Sequence, residues 1–190
     1  MDALIVGAGI VGAACAQELA AAGLSVGILE KSEPAFGATA AGMGHILVLD
    51  DSEAQIKLTH YARHLWHSFA PSDRTEFRTT GTLWVASNEQ EMGAIERRRD
   101  FYRAYGVDAE VIARDQLYEL EPVLAPGLAG GMRIPSDAVL YPPTATTELL
   151  DRAFQSGAKY FRSEIKRVGP HSVELMNGET TEATGPVRCF

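Results

Sequence analysis

Basic residues are in the minority here: 17 lysines and arginines stand against 25 aspartates and glutamates, a formal net charge of −8. A surface of that sign repels a phosphate backbone, so nucleic acid is excluded as a general partner. Cysteine is scarcer. Cys15 and Cys189 are too few for a disulfide framework, which points to a reducing compartment, read as the cytoplasm. Long apolar runs are missing as well, because Gly and polar or charged residues interrupt every stretch before the roughly 18 residues that a membrane-spanning helix needs. The opening residues, with no basic leader and a short apolar stretch before Gly7, do not read as a signal peptide. Aromatics make up only 8%, yet the hydrophobic fraction of 46% is ordinary for a globular chain. Its length suits one domain or a domain and a half.

What is present is a strand, a turn and a helix. Residues 3–6 are apolar, and Ile10, Ala13, Ala14, Gln17 and Ala21 then recur at helical spacing until Gly23 stops the run. A second apolar strand follows and ends on an acid, Glu30. The turn reads Gly7-Ala8-Gly9-Ile10-Val11-Gly12, a string that is weak evidence alone and strong in this βαβ setting. Gly7 allows the tight turn, Gly9 lets the backbone approach a pyrophosphate, and Gly12 lets helix and strand pack closely. The helix N-terminus offers N–H groups and positive dipole to phosphate, and Glu30 can accept the ribose hydroxyls. A carboxylate there repels a 2′-phosphate, so FAD or NAD fits and NADP does not. Residues 31–45 are small-sided and Gly-rich, a loop that backs onto a ligand.

Further along, 51–69 reads as an amphipathic helix capped by Asp51 or Ser52 and ended by Pro71, with Leu58, Tyr61, Leu65 and Phe69 as its buried stripe. A strand over 77–86, a charged helix from 89 to about 105, a strand over 107–112, a short helix at 116–120 and strands near 129–134 and 138–141 follow. These are not βαβ units and read as an inserted α+β domain. Pro142 and Pro143 open a helix to Gln155, and 160–168 and 173–176 read as strands, with Asn177-Gly178 as a hairpin turn. The organisation expected is therefore a dinucleotide-binding domain from 1–76 and 141–190, interrupted by 77–140.

Through Ile5-Val6-Gly7-Ala8-Gly9-Ile10-Val11-Gly12, Leu29-Glu30-Lys31 and Ala40-Ala41-Gly42-Met43, the chain resembles the D-amino-acid oxidase superfamily of FAD-dependent oxidoreductases, in its glycine oxidase and D-hydroxyproline dehydrogenase branch. Thr80-Gly81-Thr82-Leu83-Trp84-Val85, Glu119-Leu120-Glu121-Pro122 and Tyr141-Pro142-Pro143 extend the likeness less specifically. The resemblance implies an α/β fold: a Rossmann-like FAD-binding domain of the glutathione-reductase type with an inserted, incomplete α+β substrate domain. It implies FAD rather than NAD, since Thr39, Ala40, Ala41, Gly42, Met43, Gly44, His45 and Ile46 would lie against the flavin ring. Lys31 would stand beside the ribose acid, and the strand holding Ile165 would contact adenine through its backbone. Some relatives attach FAD through a His just before the Ala-Ala-Gly run, where this chain has Thr39, so noncovalent FAD is expected.

The activity implied is oxidation of the C–N bond of a small amino acid: a D-amino acid, glycine or a cyclic imino acid. The alternative is a noncatalytic nucleotide-binding subunit or remnant that needs a partner chain. Residues 184–190 show no apolar run and contain Pro186, which argues against the parallel strand the family places there and suggests a truncated product. The resemblance puts the substrate-binding groups mainly in the missing part, and no catalytic residue is assigned. His45 could donate to the ring or merely bond backbone. His60, His64 and His67 share a stripe opposite the apolar one, read as a solvated face rather than a metal site; no metal is expected. Arg97, Arg98 and Arg99 read as surface, and Cys15 as a buried small thiol.

Overall fold

The computed structural model describes residues 1–48, 52–69, 73–185 and 187–189. They form two compact units, Met1–Gly44 with Tyr141–Phe190, and His45–Leu140. In the first, β1 (Ala3–Val6), β2 (Val26–Glu30), β8 (Lys159–Arg162) and β12 (Val187–Cys189) make a parallel sheet in the order β12-β1-β2-β8. Helices α1 (Ile10–Ala21) and α5 (Pro142–Gln155) pack on each other. Gly12, Ala13, Ala16 and Ala20 are buried in α1, small residues that let it sit close to the strands. Pro at the start of α5 costs no helix hydrogen bond, and Ala145, Leu149 and Ala153 recur at the spacing of one buried face.

The other side of the parallel sheet meets an antiparallel one, β9 (Ile165–Val168), β10 (Ser172–Leu175) and β11 (Thr180–Glu182), through Leu4, Leu29, Val173, Leu175, Ala183 and Val187. Gly178, at φ 89°, closes the β10–β11 hairpin at the expected Asn177-Gly178.

Two expectations are corrected in this unit. The single strand read over 160–168 is two strands in different sheets, because Ser163 donates its N–H to Glu30 O (2.9 Å) and Glu164 O accepts from Met176 N–H (3.0 Å), turning the chain between them. The strand argued against in 184–190 exists: β12 lies parallel to β1, with Leu4 opposite Val187 and Val6 opposite Cys189. Thr184 and Gly185 donate N–H groups to Met1 O and Asp2 O (both 2.9 Å), steering the chain alongside β1, and one apolar residue, Val187, suffices to bury the inner face. Pro186 precedes this strand and lies outside the described residues.

In the second unit β3 (His45–Ile46) pairs with β7 (Ala138–Val139), and β6 (Gly130–Ile134) is the centre of an antiparallel sheet between β4 (Thr82–Ala86) and β5 (Glu110–Ala113). Helices α2 (Glu53–Ser68), α3 (Glu89–Ala104) and α4 (Arg114–Leu120) complete it. Val48, Ile56, Ile95, Tyr102, Met132 and Ile134 share one core. Residues 45–76 thus group with the second unit, whereas the expected boundary followed residue 76; Val48 and Ile56 bury against Tyr102 and its neighbours.

Helix α2 is capped by Ser52, whose Oγ accepts from Gln55 N–H at 3.2 Å; the other expected cap, Asp51, and the stop, Pro71, lie outside the described residues. Its orientation corrects the sequence reading. Leu58, Tyr61 and Leu65 are 65%, 61% and 50% exposed, while Ile56 and Arg63 are buried and His60 and His67 half-buried, so that apolar stripe points outward; His64 is exposed. No described helix is long and apolar enough to cross a membrane.

Candidate dinucleotide-binding site

The chain leaves β1 through Gly7, at φ 108°, a conformation that side chains rarely adopt, and Gly7 N–H is held by Leu29 O at 2.8 Å. A Cβ on Gly12 would lie 2.1 Å from Gly7 O, so no other residue fits between turn and helix. A Cβ on Gly9 would stand 3.0 Å from Thr39 Oγ1. That hydroxyl accepts from Ile10 N–H at 3.0 Å, so Thr39 caps α1 from far along the chain while Gly9, the residue at the N-cap, has no side chain to do it. Among the described residues, no hydrogen bond engages the N–H groups of Gly9, Val11 and Gly12. They form the donor set of an anion cradle at a helix N-terminus.

Glu30 ends β2 where it was expected. Its Oε2 accepts from Ala8 N–H (3.0 Å) and its Oε1 from Ser32 N–H (2.8 Å), so the carboxylate braces the glycine turn directly. Each oxygen has further lone-pair capacity, enough for a pair of hydroxyls. Beside it is a cavity of about 460 Å³ whose lining includes Gly7, Glu30, Lys31, Glu164, Ile165 and Cys189. It sits beyond the carboxyl ends of β1, β2 and β12, where β1 has β2 on one side and β12 on the other, the crevice that open parallel sheets use for nucleotides. Gly7, Glu30, Lys31 and Ile165 are brought together here. Glu164 and Cys189 were missed, and with 184–190 unread as a strand nothing in the sequence pointed to Cys189.

The small-sided loop stays in the first unit up to Gly44. Thr39 is buried, Ala40, Ala41, Gly42 and Met43 are exposed, and Met43 reaches 79%. A helical turn shapes the segment: Ala41 N–H donates to Gly37 O (3.1 Å) and Gly42 N–H to Thr39 O (3.2 Å). His45 and Ile46 fall in the second unit as β3, opposite Val139 and Ala138, with His45 exposed and Ile46 buried. The residues of the turn suit an anionic group in kind, since the packing admits no Cβ at Gly12 and the Gly9, Val11 and Gly12 N–H groups at the head of α1 are donors without an acceptor among the described residues.

The second unit holds a polar group that sequence reading missed entirely. Asp137, 0% exposed, accepts at Oδ1 from Arg63 Nη1 (3.3 Å) and Val48 N–H (3.1 Å). Burial pushes this carboxyl above its ordinary range in spite of those donors. Arg63 Nη2 also lies 3.1 Å from His60 Nδ1, which must accept because a guanidinium has nothing but donors. Burial, and then Arg63, hold His60 below its ordinary pKa. His67 Nε2 lies 3.0 Å from Ser136 O. Two of the three histidines are thus engaged with the unit's own polar groups, and no cluster of three or more metal-ligating side chains occurs among the described residues. Arg98 lies over the Trp84 ring at 4.0 Å. Cys15 is half-buried, and burial raises its pKa, as for a packed thiol.

Residues 2–189 match the family described as FAD dependent oxidoreductase (DAO). The glycine oxidase of Geobacillus kaustophilus is 30% identical over 167 residues, 83% of this chain and 44% of that protein. Its crystal structure superposes with a TM-score of 0.84 at 27% identity, covering 99% of this chain and 54% of the other. The L-proline dehydrogenase of P. horikoshii superposes at 0.91 with 24% identity, over 100% of this chain and 52% of that one, a likeness of fold. The chain spans about half the length of these relatives.

Proposed function

The chain belongs to the FAD-dependent oxidoreductase family, and from that premise we propose that it holds FAD noncovalently and serves the oxidation of the C–N bond of a small amino acid: a D-amino acid, glycine or a cyclic imino acid. The observation that carries this reading is the cradle, with Gly12 packed against Gly7 O and Glu30 fixed at the end of β2. The N–H groups of Gly9, Ile10, Val11 and Gly12 lie where a pyrophosphate would be held, with Ile10 shared with Thr39. Glu30 takes the ribose hydroxyls, Lys31 lies beside it, and the backbone at Ile165 flanks adenine. Thr39, Ala40, Ala41, Gly42, Met43 and Gly44, the part of the small-sided loop in the first unit, provide the ring-side wall. FAD, when bound, supplies the hydride acceptor for the amine carbon. The chain's part is to hold and orient.

A second reading is a noncatalytic nucleotide-binding subunit or remnant that needs a partner chain; in it the cradle binds a nucleotide and no oxidation follows on this chain. Titration of purified chain with FAD, followed by flavin fluorescence, tests the cofactor reading. Saturable binding is expected, weakened at least tenfold by Gly9→Val, with all flavin released on acid precipitation. Equal binding by Gly9→Val sinks the cradle assignment, and colour retained in the acid pellet sinks the noncovalent one.

A further inference from the structure

Sheet β4-β6-β5 has two unlike faces. Met132 and Ile134 of β6 turn into the core of the second unit, so alternation sends Arg133, between them, to the opposite face, where its register partners are Leu83 of β4 and Glu110 of β5. Helix α4 covers only part of that face. Leu117 is fully buried, its Cδ1 3.7 Å from where a Cβ on Gly131 would stand, and the helix ends at Leu120. Past that end lies a cavity of about 540 Å³ whose lining includes Leu83, Val85, Leu120, Leu124, Glu121 and Arg133. Its wall is held in shape, because Tyr118 Oη donates to Ala125 O (2.7 Å) and accepts from Leu128 N–H (3.1 Å), fixing the turn that carries Glu121 and Leu124.

We propose that this cavity binds an α-amino acid with a small apolar side chain, as its zwitterion. The charges match: the lining holds one cation, Arg133, and one anion, Glu121. Among the described residues no hydrogen bond or ion pair engages the Glu121 carboxylate, and Arg133 Nη1 has only Glu110 Oε2, at 3.8 Å, too long for a hydrogen bond and part of a neighbouring cavity. Arg133 thus presents a planar fork to a carboxylate, and Glu121 an acceptor to an ammonium group. A ligand with one charge satisfies one of the two. Val85 and Leu120 are 37% and 46% exposed, apolar surface that the ligand's side chain would cover. The volume lies within the range of small-molecule sites, and a central strand holds the cation, so its place is set before binding. The site lies wholly within the second unit; it goes beyond the cofactor reading and does not rest on it.

The test is titration of the isotope-labelled full chain with D-valine and with L-valine, read amide by amide by NMR. Saturable shifts are expected at Leu83, Leu120, Leu124 and Arg133 with at least one enantiomer. Valinamide, which lacks the carboxylate, and isovalerate, which lacks the amine, should each bind roughly tenfold or more weakly than that enantiomer. Arg133→Met and Glu121→Gln should each lower the affinity for valine by a similar factor, while Arg133→Lys, which keeps the charge but loses the fork, should retain part of it. Both side chains reach solvent, and the dispersion of each variant's spectrum reports its folding. No saturable shift in this set with either enantiomer overturns the proposal, as do shifts confined to the Gly7–Gly12 turn. Isovalerate binding as tightly as valine overturns it too, and so does an Arg133→Met chain that binds valine like the parent. FAD titration of the same preparation is scored separately, so a failed amino-acid site and a failed cofactor site give different results.

Discussion

In the unit built from residues 1–44 and 141–190, the decisive contacts are backbone against backbone: Gly12 has no room for a Cβ beside Gly7 O, and Thr39 and Glu30 spend their side chains on N–H groups of the same turn. In the unit of residues 45–140, the restraint that joins distant elements is a buried ion pair, Arg63 with Asp137, which also ties down Val48. The packing of Gly12 on Gly7 is local and stereochemical, so it leaves a spaced glycine pattern. The ion pair links residues 74 positions apart and leaves no pattern. The consequence is that a turn built from glycines can be read in advance, while a buried pairing such as that of Arg63 with Asp137 cannot.

The comparison breaks most visibly at Gly12. Gly12→Ala sets a methyl 2.1 Å from a carbonyl oxygen that cannot retreat without moving β1, and a loss on the order of 4 kcal/mol or more is expected, together with loss of FAD binding. Denaturant unfolding and FAD titration measure both; a stable, FAD-binding variant contradicts the close-packing account. Next comes Asp137→Ala, which strips Arg63 and Val48 N–H of their acceptor and should cost about 3–5 kcal/mol. The double replacement Arg63→Met with Asp137→Leu should recover most of it, because the penalty lies in the unpaired charge. If the double variant is as weak as the single, the pair does more than balance itself.

A smaller effect is expected at Thr39. Thr39→Ala removes the cap on Ile10 N–H and should cost about 1 kcal/mol, while Thr39→Ser keeps the hydroxyl and most of the stability. Equal losses would mean that the methyl packing, and not the cap, matters. The smallest signal is in pH. Because burial raises the Asp137 carboxyl above its unfolded value, its contribution favours the fold below the usual carboxylate range and is lost as pH rises through the raised value. Asp137→Asn, which keeps an acceptor for Val48 N–H, should therefore gain on the parent as pH climbs from about 4. A difference that stays flat with pH places the proton elsewhere.

Legibility failed in two instructive places. Helix α2 was found by periodicity, yet its orientation was inverted: a pattern of Leu58, Tyr61 and Leu65 identifies a face but not which neighbour meets it, and the buried side accommodates Arg63 because Asp137 is there to pair with it. Little apolar character in 184–190 argues against a strand there, whereas an edge strand needs one buried residue, which is Val187, and a ready template, which is β1. In both cases the missing information was the identity of a partner distant in sequence.

The amino-acid order alone determined the βαβ start, the glycine turn and the acid that closes it, because a Cβ at Gly12 is forbidden by contacts within a single strand-turn-helix. The antiparallel hairpin at Asn177-Gly178 belongs to the same class, being set by one dihedral angle. Tertiary structure decided the rest: which side of α2 is buried, where 45–76 belong, that Cys189 lines the cavity beside Glu30 and Ile165, and that β12 leaves an apolar groove along α1. Burial and pairing across long separations depend on what the chain brings together in space, and no local spacing records it.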